Sequence, residues 1–151
     1  MESKLDRRWL AGFFDGEGTI GMYYRIYPSG KINFKRYVYL ANTRLDILES
    51  VKSEFGGYIR MLHKKLNRER PCYQWQASGT LGNKFLSEIK DYLLVKNEQC
   101  DLWFQFSKTV TEGRLMNFKH GATIDSDLTK SRIVMINRTK QLNQRGVISA
   151  L

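Results

Sequence analysis

No apolar run in the 151-residue sequence approaches the about 18 residues that a membrane-spanning helix requires, and its start, MESKLDRRW, lacks the apolar centre of a signal peptide. The expectation is an intracellular protein with no membrane partner. Cysteine is scarce, with only Cys72 and Cys100. A disulfide framework is therefore not indicated, and reduced intracellular thiols are the expectation. The length nevertheless suffices for one domain to bury a core without cross-links. Histidine is equally sparse: His63 and His120 have no partner at ligand spacing, which argues against a zinc-type site. Acidic residues are in deficit too, 15 against 25 Lys and Arg, for a net charge of +10 and a pI near 9.7. Such a balance points to a polyanionic partner, since phosphate contacts by Lys and Arg release counterions and drive binding.

What is present is organised around residues 10–18, LAGFFDGEG. Interior glycine costs a helix about 1 kcal/mol relative to alanine, and here that cost is taken twice. Gly12 and Gly16 are four residues apart and share a face, which allows another backbone to approach closely. Trp9, Leu10, Phe13 and Phe14 cover a different face and can root the helix in a core. Asp15 and Glu17 fall in the last turn, where the helix dipole disfavours negative charge. A metal ion is the economical source of compensating positive charge.

The helix is expected from Asp6, an acceptable N-cap, to Asp15 or Glu17, with Gly18 as its stop. Residues 19–27 then alternate, with Ile20, Met22, Tyr24 and Ile26 on a dry face and Gly21, Tyr23, Arg25 and Tyr27 on a wet one. Pro28-Ser29-Gly30 supplies a turn into a second strand over residues 31–40. Its apolar face, Ile32, Phe34, Val38 and Leu40, is interrupted by Arg36, and its wet face carries Lys31, Asn33, Lys35, Tyr37 and Tyr39. No carboxylate occurs between Thr19 and Thr43, whereas a merely solvated face would mix signs of charge. Residues 43–46 resemble a capping box for a second helix with the stripe Leu45, Leu48, Val51 and Phe55, ended by Gly56-Gly57. A second hairpin, about 58–66 and 71–78, places Ile59, Met61, Tyr73, Trp75 and Ala77 inward and Arg60, Lys64, Arg70, Gln74 and Gln76 outward. Helices are expected over about 80–92 and 96–111, then a loop over 111–124 and a last basic helix to about Gln144.

This order describes an α+β domain whose antiparallel sheet is covered by helices on one face and bears basic, amide and aromatic side chains on the other. Two-stranded ribbons enter the major groove of DNA, where Arg and Lys pair with guanine and Asn and Gln with adenine. Tyr23, Arg25, Tyr27, Lys31, Asn33, Lys35, Tyr37, Arg60, Lys64, Arg70, Gln74 and Gln76 are the candidate DNA contacts.

LAGFFDGEG followed at once by a β-hairpin resembles the signature of the LAGLIDADG homing endonucleases, through Leu10, Ala11, Gly12, Asp15, Gly18 and the acidic Glu17. The αββαββα order from Asp6 to about Leu93 and the segment YLLVKNEQ are similar to that family as well. The resemblance implies one domain over 1–151, with a core of about 6–111 bearing a concave DNA-binding sheet and a helical extension over about 112–151. It implies close crossing of two motif helices at Gly12 and Gly16, with Ala11 and Arg8 at the same interface. Glu17 would hold a divalent metal together with the Gly16 carbonyl. Asp15 would serve in hydrogen bonding at the helix end. Lys96 would stabilise charge or help activate water, and Asn42 or Arg44 could add a polar group at the end of the second strand.

Only one copy of the motif is present, so a cut through two strands would need a C2 homodimer. The activity implied is hydrolysis of phosphodiester bonds in double-stranded DNA at a long pseudo-palindromic site, leaving short 3′ overhangs. Mg2+ is the expected cofactor, since hard cations suit oxygen ligands and paired ions can stabilise attacking and leaving oxygens. Mn2+ or Ca2+ could occupy the same site, Ca2+ without cleavage, and no small-molecule cofactor is expected. The rival implication is an intron RNA maturase or a DNA-binding regulator that kept the fold without cutting. A basic chromatin protein would fit the charge but not the motif.

Overall fold

The computed structural model describes residues 4–62, 70–115 and 127–144. Lys64 and the turn of the second hairpin lie outside these residues. The elements are α1 (Arg7–Glu17), β1 (Gly18–Ile26), β2 (Ile32–Asn42), α2 (Leu45–Phe55), β3 (Tyr58–Met61), β4 (Tyr73–Ser78), α3 (Gly79–Ile89), a 3-10 turn (Lys90–Tyr92), α4 (Asn97–Leu115) and α5 (Asp127–Leu142). The four strands form one sheet in the order β1-β2-β4-β3. The chain folds as two compact units, Met1–Thr19 with Tyr37–Asn97, and Ile20–Arg36 with Glu98–Leu151.

In the first unit β4 runs antiparallel to both β2 and β3, with Val38 opposite Ala77, Leu40 opposite Trp75 and Ile59 opposite Trp75. This face is the dry one. It packs beneath α2 and α3, and the core centres on Phe85, whose ring meets Phe14, Phe55 and Trp75 at centroid distances of 5.4, 5.1 and 4.9 Å. Gly56 and Gly57 end α2 at φ of 76° and 86°, a region that side chains avoid. The turn they make lets the Gly56 carbonyl accept the Trp75 indole N–H at 2.8 Å. Arg7 ties α1 to its neighbours through ion pairs with Glu54 and Glu88, and its guanidinium lies 5.0 Å from the Phe55 ring centroid.

In the second unit Met22, Phe106 and Ile136 are buried, with Tyr24, Phe34, Leu102, Val110 and Met135 packed around them. The charge that interrupts the apolar face of β2 is accommodated here. Arg36 lies 4.6 Å from the Trp103 ring centroid and donates to the Trp103 carbonyl and the Ser107 hydroxyl of α4. Burial, with the Arg132 guanidinium as a second cause, lowers its pKa to about 10.

Several expectations need correction. Residues 112–115 continue α4 rather than opening a loop, while residues 116–126 lie outside the described residues. No side chain caps α2; Arg44 occupies the cap position and pairs with Asp46 instead. Ile26 and Met61, expected to face inward, are exposed. Both end their strands, where less of the core lies above them. Gly21, assigned to the wet face, is buried, because the Tyr23 ring folds over it.

Candidate functional site

The last turn of α1 brings two carboxylates and one ammonium into one place, and they play different parts. The helix starts where Asp6 accepts the Trp9 N–H at 2.8 Å and stops at Gly18, whose backbone is extended. Gly18 is required by proximity rather than by a left-handed φ. A Cβ there would collide with the Phe14 ring and approach the Phe14 carbonyl to 2.6 Å.

Asp15 turns away from solvent toward residues 94–96. Its Oδ2 accepts the Leu94 N–H at 2.8 Å and its Oδ1 the Lys96 N–H at 2.9 Å. Lys96 reaches back, and its Nζ donates to the Asp15 carbonyl. An ammonium on one of the last carbonyls of a helix both satisfies an orphan acceptor and offsets the negative end of the dipole. The positive charge expected at this helix end is therefore present within the chain, as Lys96. Nothing in the spacing of these residues signals the connection, because they are about eighty positions apart.

Glu17 is exposed, and among the described residues it has no hydrogen-bond or ion-pair partner. Gly12 and Gly16 are exposed beside it, and a Cβ built on either would meet nothing within 4 Å. Neither glycine answers to a positive φ or a crowded neighbour inside the chain. The same helix face presents Trp9, 44% exposed, with its ring stacked on Phe13 at 5.2 Å. Both rings were expected to root the helix in the core; Trp9 is instead exposed, and Phe13 is half-buried. The helical wheel contains the signal, since residues 9, 12, 13 and 16 fall at i, i+3, i+4 and i+7 of one stripe. Ala11, expected at an interface, is fully buried in the chain's own core. Arg8 is exposed, its guanidinium 5.7 Å from the Tyr92 ring centroid.

Asn42 and Arg44 form a local cluster. The Asn42 Oδ1 accepts the Arg44 N–H at 2.9 Å, and the Arg44 guanidinium grips both oxygens of Asp46 at 2.9 and 2.6 Å. That grip raises the Arg44 pKa and lowers that of Asp46.

The wet strand faces divide by unit. In the second, Tyr23, Arg25, Tyr27, Lys31, Asn33 and Lys35 are all exposed, with the Arg25 guanidinium 5.1 Å from the Tyr27 centroid. In the first, Arg60 and Arg70 are exposed, Tyr37 and Gln74 are half-buried, and Tyr37 lies 5.7 Å from Tyr39. Gln76 departs from expectation and is only 7% exposed. It sits between Tyr39 of β2 and Tyr58 of β3, its cross-strand partners on either side.

As donors for a hard cation, the Glu17 carboxylate and the Gly16 carbonyl beside it have the right chemistry. No group of three or more His, Cys, Asp or Glu converges among the described residues. No described helix is long and apolar enough to cross a membrane.

The fold is that of the LAGLIDADG homing endonucleases. It matches I-CvuI, solved with a DNA target, with a TM-score of 0.70, 20% identity and coverage of 91% of this chain and 82% of that one. It matches the archaeal intron-encoded I-Vdi141I, complexed with DNA, with a TM-score of 0.69, 14% identity and coverage of 93% and 85%. For I-SmaMI, bound to cleaved DNA, the values are 0.67, 18%, and 97% of this chain against 46% of that one. The chain thus spans about half the length of I-SmaMI. No family model matches the sequence, and no curated protein does.

Proposed function

We propose that the chain is a LAGLIDADG homing endonuclease that binds double-stranded DNA as a C2 homodimer and hydrolyses both strands at a specific site with a divalent metal. The observation that carries this reading is the contrast at the end of α1. Asp15 is spent on the backbone of residues 94–96, whereas Glu17, two residues on, stands exposed and unpaired beside two glycines with open space over them. Glycines retained at about 1 kcal/mol each without an internal reason fit a second α1 packed against the first. The stacked Trp9 and Phe13 offer that helix an apolar surface. The half-length match to I-SmaMI is what a single chain carrying two such units would give. The DNA complexes of I-CvuI and I-Vdi141I support the choice of polyanion, and the exposed basic and aromatic strand faces supply its contacts.

Glu17 and the Gly16 carbonyl would hold the metal, with the remaining ligands coming from the second copy, DNA phosphate and water. A bound Mg2+ supplies Lewis-acid polarisation of phosphoryl oxygen and neutralises developing charge. Lys96, held by its contact with the carbonyl of Asp15, two residues before Glu17, would add positive charge at this helix end and stabilise an oxyanion. Asp15 orients Lys96 by binding its backbone. Arg44 and Asn42 are engaged with Asp46 and with each other, which suits support of the strand end.

The test is selection of the target from a pool of randomised duplexes, then incubation with Mg2+. Parent protein is expected to cut both strands, and Glu17→Gln to bind with unchanged affinity without cutting. Cleavage by Glu17→Gln at the parent rate would remove the metal assignment. The intact carboxylate separates this reading from a binding-only one.

A further inference from the structure

The geometry points to Arg60 as the reader of a guanine in the bound DNA, with Gln74 as the residue that aims it; this rests on the site-specific DNA reading above. Arg60 on β3 lies directly opposite Gln74 on β4. Its Nε and Nη2 both donate to the Gln74 Oε1, at 3.0 and 2.8 Å. A guanidinium carries five N–H donors in a planar fork. The two used here lie along one edge. The end of the fork, Nη1 with the remaining Nη2 hydrogen, stays available, and that edge matches guanine O6 and N7 in the major groove.

The nature of the buttress matters as much as its geometry. Three other arginines among the described residues are tied to carboxylates: Arg7 to Glu54 and Glu88, Arg44 to Asp46, and Arg138 to Glu98. Each of those pairs spends the charge. Arg60 is oriented by a neutral amide and keeps its full charge for an external acceptor, and no described carboxylate pairs with it. On its other side Gln74 faces Ala41 of β2, a side chain too short to cover the pair. The arrangement also reassigns Gln74. Recognition of adenine needs the amide oxygen and nitrogen together, and the oxygen is already occupied by Arg60.

The test uses the full chain and a pool of randomised duplexes, with sequencing of the bound fraction. Parent protein enriches sites in which one position of each half-site is guanine. Arg60→Ala loses the preference at that position alone and binds the parent-selected duplex about 5- to 150-fold more weakly, the range expected for one bidentate base contact. Replacing that guanine by adenine weakens the parent similarly and adds little to Arg60→Ala. Gln74→Leu narrows the guanine preference without abolishing it. Arg60→Lys keeps the charge and the fold but not the fork, and is expected to discriminate less than the parent. The assignment is overturned if Arg60→Ala retains every base preference, binds all sequences uniformly more weakly and lowers the salt slope by about one, the signature of a phosphate contact. A parent pool in which no position is enriched would instead refute the site-specific reading itself.

Discussion

Replacing Asp15 by alanine separates the two carboxylates of the motif helix by a measurement that needs no DNA. The Asp15 carboxylate accepts the N–H groups of Leu94 and Lys96 at 2.8 and 2.9 Å. A hydrogen bond to a charged group contributes about 1.5–3 kcal/mol. Two at the lower end would give about 3 kcal/mol, and because Leu94 is exposed solvent recovers part of this, leaving about 2 kcal/mol. With a urea m-value of about 2 kcal/mol/M for a domain of this size, the unfolding midpoint should fall by about 1 M. Amide exchange at Leu94 and Lys96 should accelerate by about tenfold or more, while amides in the middle of α3 follow only the global change. Glu17→Gln, which removes a carboxylate without a described partner, should leave the midpoint within about 0.2 M of the parent. A midpoint for Asp15→Ala equal to that of Glu17→Gln, with unchanged exchange at residues 94 and 96, would refute the division of labour between the two acids.

Gly12→Leu should leave the monomer at least as stable as the parent, because the site has open space and leucine is the better helix former, yet sedimentation should show loss of the dimer; an unchanged mass would contradict the helix crossing. Gly18→Ala should destabilise by about 3 kcal/mol, at the upper end for overpacking, since the Phe14 ring it strikes is held against Phe85; thermal unfolding reads this directly. The Arg7 pair predicts an acid limb. Hydrogen bonding from Arg7 holds the Glu54 pKa below its ordinary 4.5, so its contribution is present above that value and is lost as pH falls through the lowered native pKa. Urea midpoints measured from pH 6 to pH 3 should fall less steeply for Arg7→Ala than for the parent.

How much of the fold and the site is legible in the sequence depends on whether the deciding interaction is local. Asp6 and Gly18 mark both ends of α1 because a cap and a crowded stop are made by residues three or four positions away. The Pro28-Ser29-Gly30 turn, the Gly56-Gly57 stop and the alternation of both hairpins are readable for the same reason. Trp9 is misplaced when hydrophobicity is equated with burial, whereas the wheel puts it beside the two glycines.

Gln76 and Arg36 show the opposite limit. Period-2 alternation points Gln76 outward, but its exposure is settled by Tyr39 and Tyr58 arriving from two other strands. Arg36 interrupts an apolar face in sequence and is accommodated there because α4 presents two aromatic faces, a carbonyl and a hydroxyl to it.

By itself the sequence determined the motif helix, the strand pairs that follow it, and the excess of positive charge, since each is written in neighbouring residues or in composition. The family resemblance implied different roles for the two carboxylates, and only the tertiary structure supplied the physical reason. Asp15 and Glu17 are equivalent in charge and two positions apart, and they part company because Leu94 and Lys96, brought back from about eighty residues along the chain, present their N–H groups to one and not to the other.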